Sequence, residues 1–165
     1  MIDKEGAIRT LLNALSPSEI EGALEKHPNL IIDLPPASRL YKTLLQGGHY
    51  NHSTHCIEQV PSGVWDGTTF AVRFVNEVGR DGTVGMCVGR GNGAFVVAEL
   101  VEALNRGLKD EVEGQKGSED GKKKRGDIEE ARVTVKGWFG SEELEEVERS
   151  EAKGKKVFLE KLRTL

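Results

Sequence analysis

The sequence contains few cysteines, few aromatic residues and no long apolar run. Two cysteines in 165 residues are too few for a disulfide framework, and a chain of this length buries a continuous core without one. No charged and then apolar leader opens the chain, and no apolar stretch approaches the length of a membrane span. We therefore expect an intracellular protein with neither a signal peptide nor a membrane anchor.

The sequence also lacks an excess of positive charge. Its formal net charge of -4 excludes a general attraction to nucleic acid, so any such binding must come from a local patch. The charges are unevenly placed, because residues 127–151 hold nine acids against three bases, whereas residues 153–163 hold five bases against one acid. This pattern predicts an acidic helix near residues 141–151 and a basic segment directly after it.

Motifs for catalysis are missing. The chain has no serine elbow, no phosphate-binding Walker loop and no His-Glu zinc helix. Gly89, Gly91 and Ala94 mimic a dinucleotide fingerprint, but their flanks are helical in pattern, so we interpret the glycines as a turn between helices. Cys87 lies among apolar residues and is predicted to be a buried structural cysteine. We therefore predict no enzyme activity, no cofactor and no small-molecule substrate.

The stretch "HYNHSTHC" is the candidate metal site. Four of its side chains are types that zinc accepts: His49, His52, His55 and Cys56. They stand in one short polar run, whereas zinc ribbons and fingers use two separated ligand pairs. We interpret the run as a solvated loop after a helix that ends at Gly47 and Gly48, and we predict no metal. A metal-dependent enzyme centred on these four residues is the alternative.

Most apolar residues recur at helical rather than alternating spacing, which predicts an all-α protein. Ser16 and Pro17 are typical of the start of one helix, and Asp66 is the predicted N-cap of another. The helix that follows Gly93 has the clearest apolar face, formed by Phe95, Val96, Leu100, Val101 and Leu104. The two tryptophans, at positions 65 and 138, are interpreted as core anchors.

Residues 106–127 differ from the rest in composition. Glycine and charged residues dominate this segment, which buries too little apolar surface to offset its chain entropy, so we predict a disordered polar insertion. Its "KKKR" run, Lys122 to Arg125, matches a nuclear import signal, and the alternative is an ordinary solvated loop.

A shared phrase recurs four times along the chain. It consists of a small residue, two variable positions, two apolar, two variable and two apolar positions, and it begins at residues 37, 67, 93 and 154. The pattern predicts a single helical-repeat domain over residues 1–165, in which each helix buries its apolar stripe on its neighbours.

This phrase resembles a known family. "GNGAFVVAELVEAL" is similar to the second helix of a Pumilio repeat, and "SRLYKTLLQGGHY" with "GAFVVAELVEAL" resembles the C-terminal CPL region of the Puf-A or penguin branch. The resemblance covers residues 37–104, and "AKGKKVFLEKL" supports it. It implies an α-solenoid of degenerate Pumilio-like repeats and a nucleolar role in ribosome assembly. It also implies further repeats on the N-terminal side, so that this chain is part of a longer protein.

Sequence-reading Pumilio proteins offer two side chains per repeat to a base edge and one to its face. Here the edge positions are Ser38 and Lys42 in one unit and Ala94 and Ala98 in another, and no unit has the full set of polar readers and stacking residue. Basic side chains that can contact phosphate remain, together with one aromatic ring on which a nucleotide base can stack. The predicted RNA-binding residues are Arg39, Lys42, Phe95, Lys155 and Lys156.

These features predict a non-catalytic RNA-binding or scaffold module in large ribosomal subunit assembly. It would act in the nucleus and nucleolus, with precursor ribosomal RNA and ribosome-assembly proteins as partners, and it would contact RNA through phosphate without reading sequence. The alternative is a protein-interaction scaffold with no nucleic-acid role, whose acidic helix or repeat face binds a partner. In that case the same bases are ordinary solvated side chains.

Overall fold

The structure, a computed structural model, describes residues 4–13, 35–60, 65–88, 91–113 and 119–165. The elements are α1 (Lys4–Asn13), α2 (Pro35–Gln46), β1 (Gly48–Asn51), β2 (Cys56–Gln59), α3 (Gly67–Val88), α4 (Gly93–Glu113), α5 (Glu119–Trp138), α6 (Ser141–Arg149) and α7 (Lys155–Leu162). The all-α prediction is confirmed, because helices form most of the described chain. The predicted helix that starts at Ser16 and Pro17 lies outside the described residues.

Helices α2 and α4 lie side by side and run in the same direction. The Nζ atom of Lys42 lies 5.5 Å from the centroid of the Phe95 ring. One turn further along both helices, the Gln46 side-chain amide donates to a Glu99 carboxylate oxygen at 3.2 Å. Since residue numbers rise together across the interface, the two helices are parallel.

Helix α7 flanks α4 on another side and is also parallel to it. Gly154, directly before α7, lies against the ring of Phe95 near the start of α4. Further along, Lys161 forms a 2.8 Å ion pair with Glu102. The three helices α2, α4 and α7 are hereafter called the parallel layer.

Helices α3 and α5 pack on α4 and on each other, and together they form a second layer behind it. The apolar face of α4 predicted from its spacing is buried for Val96, Leu100, Val101 and Leu104. Burial of such side chains contributes about 1.5–3 kcal/mol each, which makes α4 the centre of the core. Helix α3 bends at Gly79, where φ is +75°.

The start of α3 is fixed by Asp66, as predicted. Its carboxylate accepts a hydrogen bond from the backbone N–H of Thr68 at 3.0 Å and another from the Thr69 hydroxyl at 2.9 Å. Such an N-cap satisfies backbone donors that the first helical turn leaves open. Trp65 and Trp138 are half-buried and pack against the core, which confirms that they are core anchors.

Where it is described, the segment predicted as a disordered insertion is helical, and residues 114–118 lie outside the described residues. Residues 106–113 continue α4, and residues 119–127 form the first part of α5. Leu108 packs against the core, and Lys124 forms a 2.9 Å ion pair with Asp66. These long-range contacts offset the entropy cost of ordering the segment, and composition alone does not reveal them.

The structure also differs from the predicted loop after α2. The helix ends at Gln46 as expected, but β1 and β2 then form an antiparallel hairpin, with Gly48 opposite Gln59 and Asn51 opposite Cys56. The side-chain Oδ1 of Asn51 accepts the backbone N–H of Ser53 at 2.8 Å and organises the turn. Strand β2 and the turn are exposed, so the segment is solvated although it is not a loop.

Candidate nucleic-acid interface

Two of the predicted RNA-binding residues, Lys42 and Phe95, are in contact, and the start of α7 lies against the same ring. Phe95 lies in the first turn of α4 and is half-buried. The Lys42 ammonium lies over its ring, 5.5 Å from the centroid, in a cation–π contact. Gly154 lies against the ring, and Lys155 and Lys156 follow it at the start of α7. The structure thus brings together residues that are more than one hundred positions apart in the chain.

Gly154 is a part of this site that sequence reasoning missed. Its φ of +82° lies in the left-handed region, which L side chains rarely adopt. A Cβ atom built there would lie 2.6 Å from both Cγ and Cδ1 of Phe95 and 2.8 Å from Cδ2. These similar distances place Gly154 over one face of the ring. The signal in the sequence was a glycine immediately before the helical pattern "KKVFLEKL".

The loop before α7 is tied to the loop before α4. The backbone N–H of Lys153 donates to the carbonyl oxygen of Gly91 at 3.1 Å. This bond holds the first turns of α4 and α7 next to each other, with the Phe95 ring between them. The predicted turn in this region is confirmed at Gly91, which lies between α3 and α4.

Lys155 has a role that differs from the predicted phosphate contact. Its ammonium donates to the carbonyl oxygens of Glu148 and Ser150, at 2.7 Å each. Carbonyl groups at the end of a helix lack partners within the helix, and a lysine there satisfies them and complements the helix dipole. Lys155 therefore caps the end of α6, and two of the three donors of its ammonium group are used within the protein.

Arg39 and Lys156 are exposed, as phosphate contacts must be. Arg39 lies on α2 one turn before Lys42, and Lys156 lies in the first turn of α7. Neither has an acidic partner within the described part of the chain. We call Arg39, Lys42, Phe95 and Lys156 the basic cluster; Arg39 and Lys42 lie on α2, and Lys156 follows Gly154 by two residues on α7.

Acidic residues on α4 bound the basic cluster. Beyond Phe95, the next residues on the same face of α4 are Glu99 and Glu102. A carboxylate oxygen of Glu99 lies 3.9 Å from a guanidinium nitrogen of Arg106. Glu102 forms the ion pair with Lys161, and this contact raises the pKa of the lysine. The middle of the parallel layer thus alternates acidic and basic side chains, and these acids lie next to the basic cluster.

The repeat positions assigned to base edges are mostly buried. Ser38, Ala94 and Ala98 are at most 5% exposed, because small side chains let neighbouring helices approach closely. Among the positions of α2 and α4 that were assigned to base edges, only Lys42 reaches the surface of the parallel layer. The unit beginning at Gly67 lies in α3, in the second layer, so it contributes nothing to this surface.

The acidic helix α6 presents a separate surface. Glu142, Glu145, Glu146 and Glu148 are exposed, and Arg149 pairs with Glu145 at 3.1 Å. Glu143 is used within the fold: it accepts the backbone N–H of Gly140 and pairs with Arg80 at 2.6 Å. The pKa of Glu143 is lowered by backbone hydrogen bonding at the helix start and by the Arg80 guanidinium.

The "KKKR" run lies in helix α5. Lys122, Lys123 and Arg125 are exposed, whereas Lys124 pairs with Asp66. The same lysine borders a cleft of 260 Å³ between α3 and α5, which Arg73 also lines. Both basic side chains that line the cleft already pair with carboxylates. Lys124 pairs with Asp66, and Arg73 pairs with Glu5 and Glu77.

The remaining candidates for chemistry lie apart from the basic cluster. Cys87 is buried, as predicted, and burial raises the pKa of its thiol far above the ordinary range. Of the candidate zinc ligands, His49 lies in β1, His52 and His55 lie in the turn, and Cys56 begins β2. Where side chains are described, no group of three or more His, Cys, Asp or Glu is placed to hold a metal ion.

No helix in the described ranges has the length and apolar character needed to cross a bilayer. Comparison of the chain with protein-family models, with curated proteins and with solved structures gives no match. The function must therefore be inferred from the chemistry of the basic cluster.

Proposed function

We propose that this protein is a non-catalytic module that binds RNA through its phosphate groups at the basic cluster. The observation that carries the proposal is the convergence of Lys42, Phe95 and the start of α7 on one surface. Arg39 on α2 and Lys156 on α7 supply exposed guanidinium and ammonium groups on the two helices that flank α4. Such groups bind phosphate without reading sequence and release counterions when they do so.

The arrangement of the parallel layer supports a repeat architecture within this proposal. Helices α2, α4 and α7 are then the equivalent helices of three degenerate Pumilio-like repeats, and α3 belongs to the backing layer. These helices carry the phrases beginning at residues 37, 93 and 154, which are nearly evenly spaced. The resemblance of the sequence to the CPL region of Puf-A proteins supports the same assignment.

The cellular role in this proposal follows from that resemblance. The module acts in large ribosomal subunit assembly in the nucleus and nucleolus, with precursor ribosomal RNA and assembly proteins as partners. Lys122 and Lys123 of the "KKKR" run are exposed and available for an import signal, whereas Lys124 is paired with Asp66 and Arg125 with Glu129. The proposal includes no catalytic step, cofactor or small-molecule substrate.

The test is a charge reversal at Arg39 and Lys156. Binding of a labelled generic RNA would be measured by fluorescence anisotropy at several salt concentrations. Loss of two phosphate contacts should make the negative slope of log affinity against log salt concentration shallower by about 1.4 for a single strand. The affinity itself should fall at least about tenfold at low salt. Lys155 is left unchanged because it caps α6.

A matched control makes the same charge change elsewhere. Lys123→Glu with Lys136→Glu alters two exposed bases of α5, in the second layer. This control should retain most of the affinity that the Arg39→Glu and Lys156→Glu variant loses. Equal losses in both variants, or no binding by the natural chain at low salt, would contradict the proposal.

A second candidate function is protein scaffolding without RNA, and the exposed carboxylates of α6 favour it. A basic partner would be held by Glu142, Glu145, Glu146 and Glu148. Replacing all four by glutamine should release the protein from assembly particles isolated from cells under this function. If the module instead binds RNA, the charge reversal at Arg39 and Lys156 should release the protein from these particles.

A further inference from the structure

We propose that the outer face of helix α5 is a docking surface for a second copy of this chain. The two α5 helices pair antiparallel, across a two-fold axis that passes close to Val133. This proposal goes beyond RNA binding and does not rest on it, because it concerns the side of the molecule away from the parallel layer.

The outer face of α5 has an exposed apolar centre. Ile128, Ala131 and Val135 bury the inner side of the helix in the core. Val133 lies on the opposite side and is 71% exposed, more than any other large apolar side chain in the described part of the chain. Valine is also a weaker helix former than the charged residues around it. Its place in the middle of a solvated helix is therefore unfavourable unless a partner covers it.

The backbone on either side of Val133 is open to close approach. Gly126 lies seven residues before Val133 and Gly137 four residues after it, so all three lie within about 40° around the helix. A Cβ atom at either glycine would have no neighbouring heavy atom within 4 Å among the described residues. Two helices can therefore approach closely along this face over about 16 Å.

The charges beside this apolar centre identify the partner as a second copy. Glu129 lies four residues before Val133 and Lys136 three residues after it, on the same side of the centre. In an antiparallel two-fold pair, Glu129 faces the partner's Lys136, and Lys136 faces the partner's Glu129. A parallel pair would instead place like charges opposite each other, which is repulsive.

Both charged groups can form these contacts. Glu129 accepts one hydrogen bond, from Arg125 to its Oε1 atom at 3.3 Å, which leaves the Oε2 atom without a partner among the described residues. Lys136 is exposed and forms no ion pair in the part of the chain that the structure describes. An intermolecular pair can therefore form at each position without breaking a contact within the chain.

The two ends of α5 are complementary as well. Lys122 and Lys123 are exposed near its start, whereas the acidic helix α6 begins at Ser141, three residues after α5 ends. Antiparallel pairing brings the start of each α5 beside the end of the partner's α5, and so toward the partner's acidic helix. The uneven charge of this half of the chain is therefore complementary to itself.

The pairing should be weak and leave the basic cluster accessible. A contact between single helices belongs to the small interfaces, below about 1,200 Å². We expect a dissociation constant on the order of 10–100 µM. At the submicromolar protein concentrations of an RNA titration the chain is then monomeric, so the Lys136 change in the RNA control does not act through the dimer. Helix α5 packs on α4 by its inner side, so the contact leaves the parallel layer uncovered.

The test is a charge exchange followed by sedimentation equilibrium of the full chain, from about 1 to 300 µM. Glu129→Lys and Lys136→Glu each place like charges opposite each other twice in a dimer. Each variant alone should therefore associate at least about tenfold more weakly than the natural chain. An equimolar mixture of the two should associate as the natural chain does, because opposite charges face each other again in the mixed pair.

Two further variants provide the controls. Val133→Ala removes apolar surface and improves helix propensity, so it does not endanger the fold, and it should weaken association about tenfold. Glu160→Lys makes the same charge change as Glu129→Lys at an exposed position of α7, in the parallel layer. This variant should associate as the natural chain does.

The outcomes keep this proposal and the proposed function apart. A natural chain that stays monomeric over the whole range overturns the dimer. So does a mixture of the two charge variants that associates no better than either alone, an unchanged Val133→Ala, or an equal loss with Glu160→Lys. RNA binding by a chain that does not associate leaves the proposed function intact. Association by a chain that binds no RNA supports the dimer and overturns the proposed function.

Discussion

The ammonium group of Lys155 donates to the carbonyl oxygen of Glu148 at 2.7 Å, so the first residue of α7 holds the end of α6. Replacing Lys155 by Met keeps the aliphatic stem and removes both bonds to helix-end carbonyls. We expect the free energy of unfolding to fall by about 1–2 kcal/mol. Urea denaturation measures this, with Lys156→Met as the control.

Lys156 is exposed and has no carbonyl partner of this kind, so its replacement should change stability by less than about 0.5 kcal/mol. Equal stability of the two variants would show that the capping bonds of Lys155 contribute nothing to the fold.

Gly154→Ala should destabilise the protein through two separate effects. The left-handed backbone at φ +82° disfavours any side chain, and the new methyl group would meet the Phe95 ring. A loss of about 2 kcal/mol or more in the free energy of unfolding is expected.

The same substitution in a Phe95→Ala background isolates the steric part. Without the ring, Gly154→Ala should cost only about 1 kcal/mol, the cost of the backbone conformation. An unchanged cost in the two backgrounds would mean that contact between Gly154 and Phe95 does not constrain the site.

Asp66 makes stability depend on pH. Burial alone raises the pKa of its carboxyl group, but hydrogen bonds from Lys124, Thr69 and the Thr68 backbone together lower it below the ordinary value. The stabilisation is therefore fully present above the unfolded pKa of about 4, and it is lost as pH falls through the lower folded-state pKa.

Asp66→Asn should reduce this acid dependence. The amide oxygen can still cap α3, but it has no charge for Lys124 to pair with, so stability should fall less between pH 5 and pH 2 than in the natural chain. The measurement is thermal unfolding across that pH range. The same acid sensitivity in both proteins would place the titration in other carboxyl groups.

Asn105 joins the end of the chain to α4 and α5. Its side-chain amide nitrogen donates to the Thr164 hydroxyl at 2.5 Å, and its side-chain oxygen accepts from the Arg132 guanidinium at 3.1 Å. Asn105→Ala should therefore loosen the end of α7 and lower the free energy of unfolding by about 1 kcal/mol.

Amide hydrogen exchange locates this effect. Protection should fall in α7 more than in the centre of α4, whose side chains are buried independently of the bond. Uniformly reduced protection would instead indicate that Asn105 supports the whole core.

Local signals predicted much of the fold. The spacing of Val96, Leu100, Val101 and Leu104 identified the most buried helix, and Asp66 identified a helix start, because both depend on residues close together in sequence. The hairpin was missed because its strands have four residues each and its turn lacks the Asn-Gly or Asp-Gly pair that marks tight hairpins.

The candidate site was predicted less well, because its contacts are long-range. The sequence identified Lys42 and Phe95 separately, but nothing local shows that they meet. It could not distinguish Lys155 from Lys156, since adjacent lysines look alike until one of them is found to cap another helix. Ser38 and Ala98 were assigned to the surface by analogy, and packing against neighbouring helices buries them.

The shared direction of α2, α4 and α7 has an electrical consequence. In an antiparallel bundle the dipoles of neighbouring helices cancel, whereas here they add, with their positive ends at the starts of the helices. The layer is therefore polarised, and Lys156, in the first turn of α7, lies at its positive pole. This end of the layer therefore carries a local positive potential in a chain with a net charge of -4, and at physiological ionic strength that potential extends over a Debye length of about 8 Å.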